Sequence, residues 1–530
     1  MTSVKNLAPK FSQWSKIPSN IKDIMYNTLE NPVYIPNNMM NNYFSNNHLY
    51  TNNYKQISAF NKNKHIAKYD YINEHQIHDY FDTFKSQKEI WADTPFNHKR
   101  EVFLNAANLI ETKYYDKMLA YTILGQNKTI YEAELDAICE LVDFLRFNVY
   151  YTELIFSKQP KQTSFHNNIS TYNPLNGFVA SITPFNFTAI GANLASAPLL
   201  FGNSVLWKPS NNSILSNHLF YEIMLEAGLP HGVLNFCPME PDLFLNNIIN
   251  NSELSAILFT GSSQVLDNIY KNIGTNIESF KNYPRIIGES GGKNFHFVDN
   301  SPFSHDNMEF IVRSTIESAF NYSGQKCSAC SIIYIPDNLL DDYICQFKIE
   351  LKKYMENTEN YGVINDISYN RLNNLLNNFK NDSEIEFVTS DIQFVTSDNN
   401  SNSYHINPNI LLCNNHEHDV FNKEFFGPIL SIYPYKETHI KDTLDKCCTS
   451  NNYALTGSIF GNSEFMMYAT NKLKYKTGNF YINDKSTGSV VGQQPFGGSG
   501  KSGTNDKAGD INLLYRLFNQ RNIKNNFKFN

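Results

Sequence analysis

The chain has 530 residues, of which 41% are apolar and 18% are charged, and its formal net charge is −7 at pH 7. This length exceeds what one hydrophobic core usually supports, so we expect two or more domains. The acidic balance and the lack of basic clusters in the sequence argue against nucleic acid as the main partner. The eight cysteines have no framework spacing, which favours free thiols in a reducing compartment.

The amino-terminal segment contains four lysines before its first acidic residue, Asp23. A short organelle presequence is one interpretation, but no arginine precedes Arg100, and a cytoplasmic protein is the other interpretation. Farther along, residues 162–207 contain no Asp, Glu, Lys or Arg. Prolines and asparagines interrupt the apolar runs there, whereas a membrane span needs about 20 continuous apolar residues. We therefore predict a buried core segment and no membrane span.

Four short apolar runs predict buried strands, at residues 178–182, 204–207, 233–236 and 256–259. Apolar residues recur at helical spacing between the second and third runs, and Gly228 followed by Pro230 marks the end of that helix. Alternation of strands and helices predicts a parallel sheet that is covered on both faces, as in dinucleotide-binding domains. A second α/β unit is predicted from about residue 293 to residue 478.

A phosphate-binding turn is predicted at residues 259–263, where a strand ends and a helix begins. Thr260, Ser262 and Ser263 can cap this helix, whose free N–H groups would face a bound phosphate. Lys208 follows another strand, at the edge of the sheet where nucleotides bind. Each signal alone is also typical of an ordinary turn or a solvated loop lysine, and the chain has no Gly-x-Gly-x-x-Gly fingerprint.

Two polar residues have the chemistry of a base and of an oxyanion donor. Glu289 precedes a Gly-Gly pair, where the backbone can pass close to a ligand, and burial there would raise its pKa towards that of a useful base. The alternative is a loop acid paired with a lysine or an arginine. Asn186 follows a predicted strand between two phenylalanines, so its NH2 can point at a developing oxyanion. Its alternative is a turn-forming asparagine.

Cys327 is the candidate nucleophile, because it follows the sequence Gly324-Gln325-Lys326. We expect Lys326, with any helix-end amides, to lower the pKa of this thiol. The alternative is a small buried thiol, and we assign that structural role to Cys330. The two cysteines also form a Cys-x-x-Cys, but no second pair accompanies it, so no metal is expected.

Six motifs in this order resemble the aldehyde dehydrogenase superfamily, at residues 184–187, 208–210, 259–262, 289–293, 324–327 and 424–428. The resemblance implies an α/β aldehyde dehydrogenase fold with a Rossmann-type NAD-binding domain at 1–292 and an α/β catalytic domain at 293–478. Residues 479–530 would form a substrate anchor loop and part of a small β oligomerisation flap. The flap would combine residues near 157–172 with the tail after Thr504.

Five further runs resemble the Δ1-pyrroline-5-carboxylate dehydrogenase subfamily more narrowly, at residues 291–297, 324–330, 478–489, 492–498 and 502–506. The resemblance implies NAD-dependent oxidation of Δ1-pyrroline-5-carboxylate, or of its open form L-glutamate γ-semialdehyde, to L-glutamate. This reaction is the second step of proline degradation. The alternatives are a dehydrogenase of another carboxylated aldehyde and a catalytically idle protein with the same fold.

The resemblance also implies roles for individual residues. Cys327 would attack the aldehyde, Asn186 and the Cys327 N–H would stabilise the oxyanion, and Glu289 would activate water to hydrolyse the thioester. The residues implied for NAD are Thr183, Lys208, Gly261, Ser262, Ser263, Gln264, Val265, Glu424 and Phe426. The residues implied for the substrate are Ser489, Gly488 and Lys326 at its carboxylate, with Ser328, Phe187, Phe496 and Glu140 around the rest. Glu140 is equally typical of an ordinary helix-surface acid.

NAD is the implied cofactor, with one departure from the pattern. Many NAD-selective relatives have an acid three residues after the lysine at position 208, but this chain has Asn211, which repels a 2′-phosphate less strongly. Selectivity against NADP therefore stays open. The resemblance further implies a homo-oligomer, a dimer or larger, and a mitochondrial matrix location, with the cytoplasm as the alternative.

Overall fold

A computed structural model describes residues 20–36, 53–300, 305–358, 361–392 and 402–527. The amino-terminal residues considered for a presequence lie mostly outside this part of the chain. The strands are β1 Val33–Ile35, β2 Asn53–Ile57, β3 His65–Asp70, β4 His166–Asn173, β5 Phe178–Ile182, β6 Val205–Lys208, β7 Leu234–Phe236, β8 Leu254–Thr260, β9 Arg285–Glu289, β10 Asn294–Val298, β11 Cys330–Pro336, β12 Glu386–Phe387, β13 Asn409–Leu412, β14 Ile429–Tyr435, β15 Tyr453–Ala454, β16 Thr456–Phe460, β17 Asn479–Ile482, β18 Ser499–Gly500 and β19 Asn519–Asn526.

The α-helices are α1 Ile21–Glu30, α2 Glu74–Asp93, α3 Phe96–Glu111, α4 Tyr115–Gln126, α5 Ile130–Ala133, α6 Glu140–Ser157, α7 Thr188–Ser196, α8 Ile214–Glu226, α9 Pro241–Ile249, α10 Ser263–Thr275, α11 His305–Phe320, α12 Leu340–Glu356, α13 Asp366–Lys380, α14 Asp419–Asn422, α15 Ile440–Thr449, α16 Ser463–Lys472 and α17 Ile511–Leu514. A π-helical segment, Glu134–Cys139, connects α5 to α6.

The first large sheet has five parallel strands in the order β7-β6-β5-β8-β9. All four predicted strands are confirmed, with boundaries that shift by one or two residues. Phe178 and Ala180 of β5 pack into one hydrophobic cluster, whereas Val179 packs into another, so both faces are buried as predicted. The chain reverses its direction across the sheet between β5 and β8. Ligands bind at such a switch point, beyond the carboxyl ends of the strands.

The second large sheet has seven strands in the order β12-β13-β14-β11-β10-β16-β17, and only β12 is antiparallel to its neighbour. Its helices again cover both faces, because β10 contributes Phe295 and Phe297 to one cluster and Val298 to another. The strand β17, Asn479–Ile482, pairs in parallel with β16 and so belongs to this sheet. Residues 290–293 connect the two sheets directly, from β9 to β10.

A two-stranded antiparallel ribbon connects distant parts of the chain. Strand β4 pairs with β19 along eight residues each, from Asn173 opposite Asn519 to His166 opposite Asn526. The two strands come from the two segments that the sequence assigns to an oligomerisation flap. The domain limits and the oligomeric role of the ribbon remain predictions.

The uncharged segment at residues 162–207 is a core segment from β5 onwards, as predicted, but residues 162–173 are mostly exposed or half-buried because they form the ribbon with β19. It contains β4, β5, helix α7 and the beginning of β6, and α7 is almost entirely buried. Within the described ranges, no helix is long and apolar enough to cross a membrane.

Candidate active site

The candidate nucleophile lies where the connection between the two sheets passes under the loop that precedes β11. Asn294 donates its side-chain NH2 to the carbonyls of Cys327, at 2.7 Å, and of Ala329, at 2.9 Å. A Cβ on Gly292 would lie 2.6 Å from the carbonyl oxygen of Cys327, so only glycine lets the two backbones approach this closely. The sequence Gly291-Gly292 therefore places Cys327 beside the end of β9.

The backbone before Cys327 has an unusual conformation. Tyr322 and Ser323 have φ of 52°, and Gly324 has φ of 69°, so three consecutive residues are left-handed. Two neighbours stabilise this turn: Glu132 accepts the Tyr322 N–H at 2.7 Å, and the Ser323 hydroxyl accepts the Gly362 N–H at 2.9 Å. Non-glycine residues in this region cost about 1–3 kcal/mol each and occur mainly at functional sites.

Asn186 joins the first sheet to this turn. Its side chain is buried, and its Nδ2 donates to the Gln325 carbonyl at 3.0 Å. Because a side-chain amide has two N–H donors, one hydrogen bond fixes the amide and the other N–H can serve a second acceptor. Asn186 also lies in a bend after β5, so the alternative of a turn-forming asparagine is compatible with its position, and its role as an oxyanion donor stays a prediction.

The Cys327 thiol differs from our expectation. Burial, together with the carboxylates of Glu289 and Glu424, raises the pKa of this thiol well above its ordinary value, and hydrogen bonds with the Ser328 and Cys327 backbone offset only part of the rise. Lys326 does not activate the thiol as predicted, because its Nζ points to Asp136, at 3.3 Å. The thiol therefore needs a proton acceptor before it can act as a nucleophile.

Glu289 offers that acceptor at the end of β9. One of its carboxylate oxygens accepts the Gly498 N–H at 3.0 Å, and the other is buried with no hydrogen-bond partner among the described residues. Burial raises the pKa of Glu289 to about 8, against partial compensation by the Gly498 hydrogen bond and Lys507. The predicted rise is confirmed. The ion-paired alternative fails, since the Lys507 ammonium donates to the carbonyls of Gly478 and Gly497.

Glu424 lies on the other side of the glycine pair. Its carboxylate accepts the Gly292 N–H at 2.9 Å, and a Cβ on Gly291 would lie only 1.8 Å from it. Burial raises the pKa of Glu424 to about 7, with the Gly292 hydrogen bond and Lys293 acting in the opposite direction. Phe426, two residues later, has a left-handed φ of 50°. The centroid of its ring lies 6.0 Å from that of the Phe185 ring, in an edge-to-face arrangement.

The residues predicted for a dinucleotide lie along the carboxyl ends of β5, β6 and β8. Lys208 is the last residue of β6, and burial lowers its pKa to about 8. The Thr183 hydroxyl, just after β5, accepts the Trp207 indole N–H at 2.9 Å. Ser262 caps α10 by accepting the Val265 N–H at 3.4 Å, as predicted for this turn. The other turn residues are Gly261, half-buried Ser263 and exposed Gln264.

A cluster of buried charges lies on the opposite side of the nucleophile. Lys128 has no exposed side-chain surface and pairs with Asp136 at 2.6 Å, and the same carboxylate receives Lys326. Both ammonium groups lie over the Phe187 ring, at 4.3 and 5.4 Å from its centroid. Burial raises the pKa of Asp136, but the two lysines outweigh it and hold that pKa below its ordinary value.

Glu140 is close to this cluster rather than on a free helix surface. Burial, together with Asp136, raises the pKa of Glu140 to about 8 against the opposing effect of the two lysines. The sequence predicts one helix across residues 134–146, but the structure has the π-helical segment Glu134–Cys139 before α6 begins at Glu140. This wider turn includes Asp136, and π-helical turns are frequent at functional sites.

The remaining predicted substrate residues lie in two loops, one before β11 and one after β17. Ser328 is buried beside the nucleophile, and its carbonyl accepts the Thr456 hydroxyl at 3.3 Å. In the loop after β17, Gly488 is exposed and has a φ of 85°, and Ser489 is half-buried. Phe496 is half-buried and exchanges two backbone hydrogen bonds with Ala508.

A family comparison decides what this arrangement is. Residues 47–522 match the model of the aldehyde dehydrogenase family, which covers most of the chain. The chain belongs to the aldehyde dehydrogenase family. This dehydrogenase has the fold that its motifs predict, with the candidate active site between the parallel five-stranded sheet and the mostly parallel seven-stranded sheet.

Curated relatives of this aldehyde dehydrogenase have one name in common. It is 42% identical over 483 residues to the mitochondrial Δ1-pyrroline-5-carboxylate dehydrogenase of Dictyostelium discoideum, covering 89% of this chain and 85% of that protein. It is 37% identical over 481 residues to the mitochondrial Δ1-pyrroline-5-carboxylate dehydrogenase of Homo sapiens, covering 89% and 84%. The match therefore covers most of this chain and most of both relatives.

Solved structures give the same fold. The Δ1-pyrroline-5-carboxylate dehydrogenase of Mycobacterium tuberculosis bound with NAD superposes with a TM-score of 0.88 at 30% identity, covering 98% of this chain and 96% of that chain. The corresponding Thermus enzyme with bound NAD superposes with a TM-score of 0.85 at 22% identity, which supports the fold alone.

Two charged residues of this aldehyde dehydrogenase were missed by the sequence-based prediction. Lys128 and Asp136 form the fully buried pair beneath Phe187, eight positions apart on either side of a short helix. The available signal was a lysine and an aspartate within a segment that is otherwise rich in apolar residues. Buried charges of this kind are paired or functional, and this pair is both close to Cys327 in space and remote from it in sequence.

Proposed function

We propose that this aldehyde dehydrogenase oxidises L-glutamate γ-semialdehyde, the open form of Δ1-pyrroline-5-carboxylate, to L-glutamate. Cys327 is the nucleophile, Asn186 is the oxyanion donor and Glu289 is the base. The observation that supports this chemistry best is the buried Glu289 carboxylate, which has one oxygen without a partner and a pKa near 8 beside a thiol that must lose its proton. The names of the relatives support the choice of substrate.

Catalysis begins when the Cys327 sulfur attacks the aldehyde carbon. Glu289 accepts the proton that the thiol releases, either directly or through water. The second N–H of Asn186 and the Cys327 N–H donate to the oxyanion, an effect of about 2.7–4 kcal/mol per donor in comparable sites. After oxidation the substrate remains attached to Cys327 as a thioester. Glu289 first loses the thiol proton to solvent and then takes a proton from water as the water oxygen attacks the thioester carbon. The C–S bond breaks, the acid product leaves, and Glu289 returns its proton to the Cys327 sulfur.

NAD is the cofactor of this reaction, and when bound it accepts the hydride of the aldehyde carbon. The chain contains residues that fit it: Lys208 and Glu424 would contact ribose hydroxyls, and the exposed turn at residues 261–265 would face the pyrophosphate. Phe426 would lie beside the nicotinamide ribose. One further observation supports the fit. The Asn211 side-chain oxygen is buried and has no hydrogen-bond partner in the described structure, so it could accept a hydrogen bond from a ribose hydroxyl.

Substrate selection depends on the charged end of the semialdehyde. Gly488 and Ser489 offer an N–H and a hydroxyl to the α-carboxylate, and the Lys326 ammonium adds a positive charge. Phe187 and Phe496 line the methylene chain. Burial lowers the pKa of Lys326, but Asp136 outweighs it and holds that pKa above its ordinary value, so the Lys326 ammonium favours a carboxylate over a neutral group at this end of the site.

The assembly and the compartment belong to the same proposal. The ribbon of β4 and β19 presents exposed apolar side chains, including Phe165 with 63% of its surface exposed, which is typical of a contact surface in a homo-oligomer. We propose a dimer or a larger assembly through this ribbon. The relatives are named as mitochondrial proteins, which supports the matrix as the location.

A substrate panel tests the proposal. Purified enzyme is assayed for NADH production with L-glutamate γ-semialdehyde, succinate semialdehyde and acetaldehyde, each with NAD and with NADP. We expect kcat/KM to be highest for the glutamate semialdehyde with NAD. A higher kcat/KM for succinate semialdehyde would show that the enzyme acts on another carboxylated aldehyde. No turnover of any aldehyde by folded, reduced protein would reject an enzymatic function.

A further inference from the structure

A buried histidine connects the second sheet to the loop that presents Ser489. His296 lies in the middle of β10 and is fully buried, and the flanking Phe295 and Phe297 pack on the other face of the sheet. Its Nδ1 lies 2.9 Å from the Thr315 hydroxyl oxygen of α11, and its Nε2 lies 3.1 Å from the Ser486 hydroxyl oxygen. His296 therefore bridges a helix and the loop after β17.

One hydrogen-bond pattern satisfies every group of this bridge. The Thr315 hydroxyl donates to the Ile311 carbonyl at 2.8 Å, and its oxygen accepts from His296 Nδ1–H. A neutral imidazole with its proton on Nδ1 accepts at Nε2, so Ser486 is the donor there in this pattern. Burial lowers the pKa of His296 to about 3, which keeps the ring neutral near neutral pH.

Ser486 is a main attachment of the loop to the rest of the protein. In residues 482–490, only Ser486 and Thr487 are buried. The Thr487 hydroxyl is at a long 3.5 Å from Ser318, and the ion pair of Lys485 with Glu317 is largely exposed and therefore weak. The Ser458 hydroxyl of β16 holds the start of the loop by donating to the Asp484 carbonyl at 2.5 Å. Nearer to Gly488 and Ser489, the hydrogen bond between Ser486 and His296 is the shorter of the two buried side-chain contacts that Ser486 and Thr487 make.

We propose that His296 is a positioning residue for substrate recognition, which acts by holding Ser486 and thereby fixing the loop that places Gly488 and Ser489 at the substrate carboxylate. This inference rests on the proposed function, because it assigns the carboxylate to that loop. It makes the rigid sheet, rather than the exposed loop itself, the determinant of where the two donors lie. Aldehydes without a carboxylate do not depend on the loop.

The first test uses Ser486→Ala, which removes the donor with little change in volume. We expect the KM for L-glutamate γ-semialdehyde to rise about tenfold, the factor that corresponds to one ordered hydrogen bond. The kcat for this substrate, the kcat/KM for n-butanal and the NAD dissociation constant should change less than twofold. Lys485→Gln is the matched control in the same loop, and it should alter each of these values less than twofold.

A pair of variants at the histidine gives the second test. His296→Gln keeps an acceptor within reach of Ser486 and should retain most of the wild-type KM, whereas His296→Leu should raise it as Ser486→Ala does. Equal losses with the semialdehyde and with n-butanal would overturn the positioning role. So would an unchanged KM in Ser486→Ala.

Hydrogen exchange separates this inference from the proposed function. In the enzyme without substrate, Ser486→Ala should increase amide exchange in residues 483–490 and leave residues 324–330 unchanged. If the wild-type enzyme does not oxidise the semialdehyde, the proposed function fails, and faster exchange in this loop still supports the attachment through His296. Unchanged exchange in the loop refutes it.

Discussion

The two sides of the Cys327 site treat buried charge in opposite ways. On the side of Glu289, the acidic group has little compensation, and burial moves its pKa to about 8. On the side of Phe187, two buried lysines share the carboxylate of Asp136, which stays ionised. Glu289, which must change protonation during turnover, has no strong partner, whereas Asp136, which stays ionised, is paired with two lysines.

The nucleophile should show the largest effect. Cys327→Ala removes the only atom that can form the thioester, so NADH production should fall by at least about 10⁴-fold while NAD binding is retained. Cys330→Ala is the matched control three residues away. That thiol is 1% exposed at the start of β11 and packs in the core, so its loss should cost about 1 kcal/mol of stability and little activity. Turnover by Cys327→Ala would show that another nucleophile acts.

Glu289→Gln tests the side with the uncompensated charge. We expect kcat to fall about 10²–10⁴-fold, because the glutamine cannot accept a proton. In the wild type, activity should rise with pH towards a plateau above about 8, since the ionised carboxylate is the active form. A pH profile of kcat with the same rise in the variant would contradict the assignment of the base.

The stability of Glu289→Gln should increase, although its activity falls. The folded pKa of Glu289 is raised above its ordinary value of 4.5, so the folded protein binds the proton more tightly and loses stability as the pH rises from about 4.5 to 8. Glu289→Gln removes that loss. Its Tm should therefore exceed that of the wild type, with a difference that increases over this pH range.

Asp136→Asn tests the paired side. It leaves Lys128 and Lys326 buried without their shared counter-ion, and the free energy of unfolding should fall by about 3–5 kcal/mol. Denaturant unfolding measures this loss. Glu30→Gln breaks the half-exposed pair with Lys64 and should change stability by less than about 1 kcal/mol. Equal losses of stability in the two variants would show that the buried ion pairs of Asp136 contribute no more than an exposed pair.

The smallest effect is expected at the loop that receives the substrate carboxylate. Ser489→Ala should raise the KM for the semialdehyde about tenfold, because one hydrogen bond to a charged group is lost. The KM for an aliphatic aldehyde should not change. Steady-state kinetics with both substrates measure the ratio, and equal changes in the two KM values would remove Ser489 from substrate recognition.

The local sequence predicted the elements of the fold well, because each depends on short-range patterns. Continuous apolar runs predicted four of the five strands of the first sheet, and Ser262 predicted the helix cap after β8. The rise in the pKa of Glu289 was also predictable, since a carboxylate between a buried strand and two glycines has few routes to solvent.

The expectation for Cys327 shows where this reasoning ends. A neighbouring lysine in the sequence suggested a lowered thiol pKa, but the side chains of adjacent residues can point in different directions. Lys326 turns to Asp136, whereas Glu289 and Glu424, both distant in the chain, act on the thiol. Burial and long-range charge therefore determined the sign of the shift.

The sequence by itself determined the two parallel α/β units, the family and the identity of the candidate nucleophile, base and oxyanion donor, because these depend on local periodicity and on contiguous motifs. Only the tertiary structure decided that Lys128 and Asp136 form a buried pair beneath Phe187, and that His296 holds Ser486. The first contact lies beneath a ring from another segment, and the second joins residues 190 positions apart. Their existence depends on how helices and strands pack, and packing is set by the whole chain.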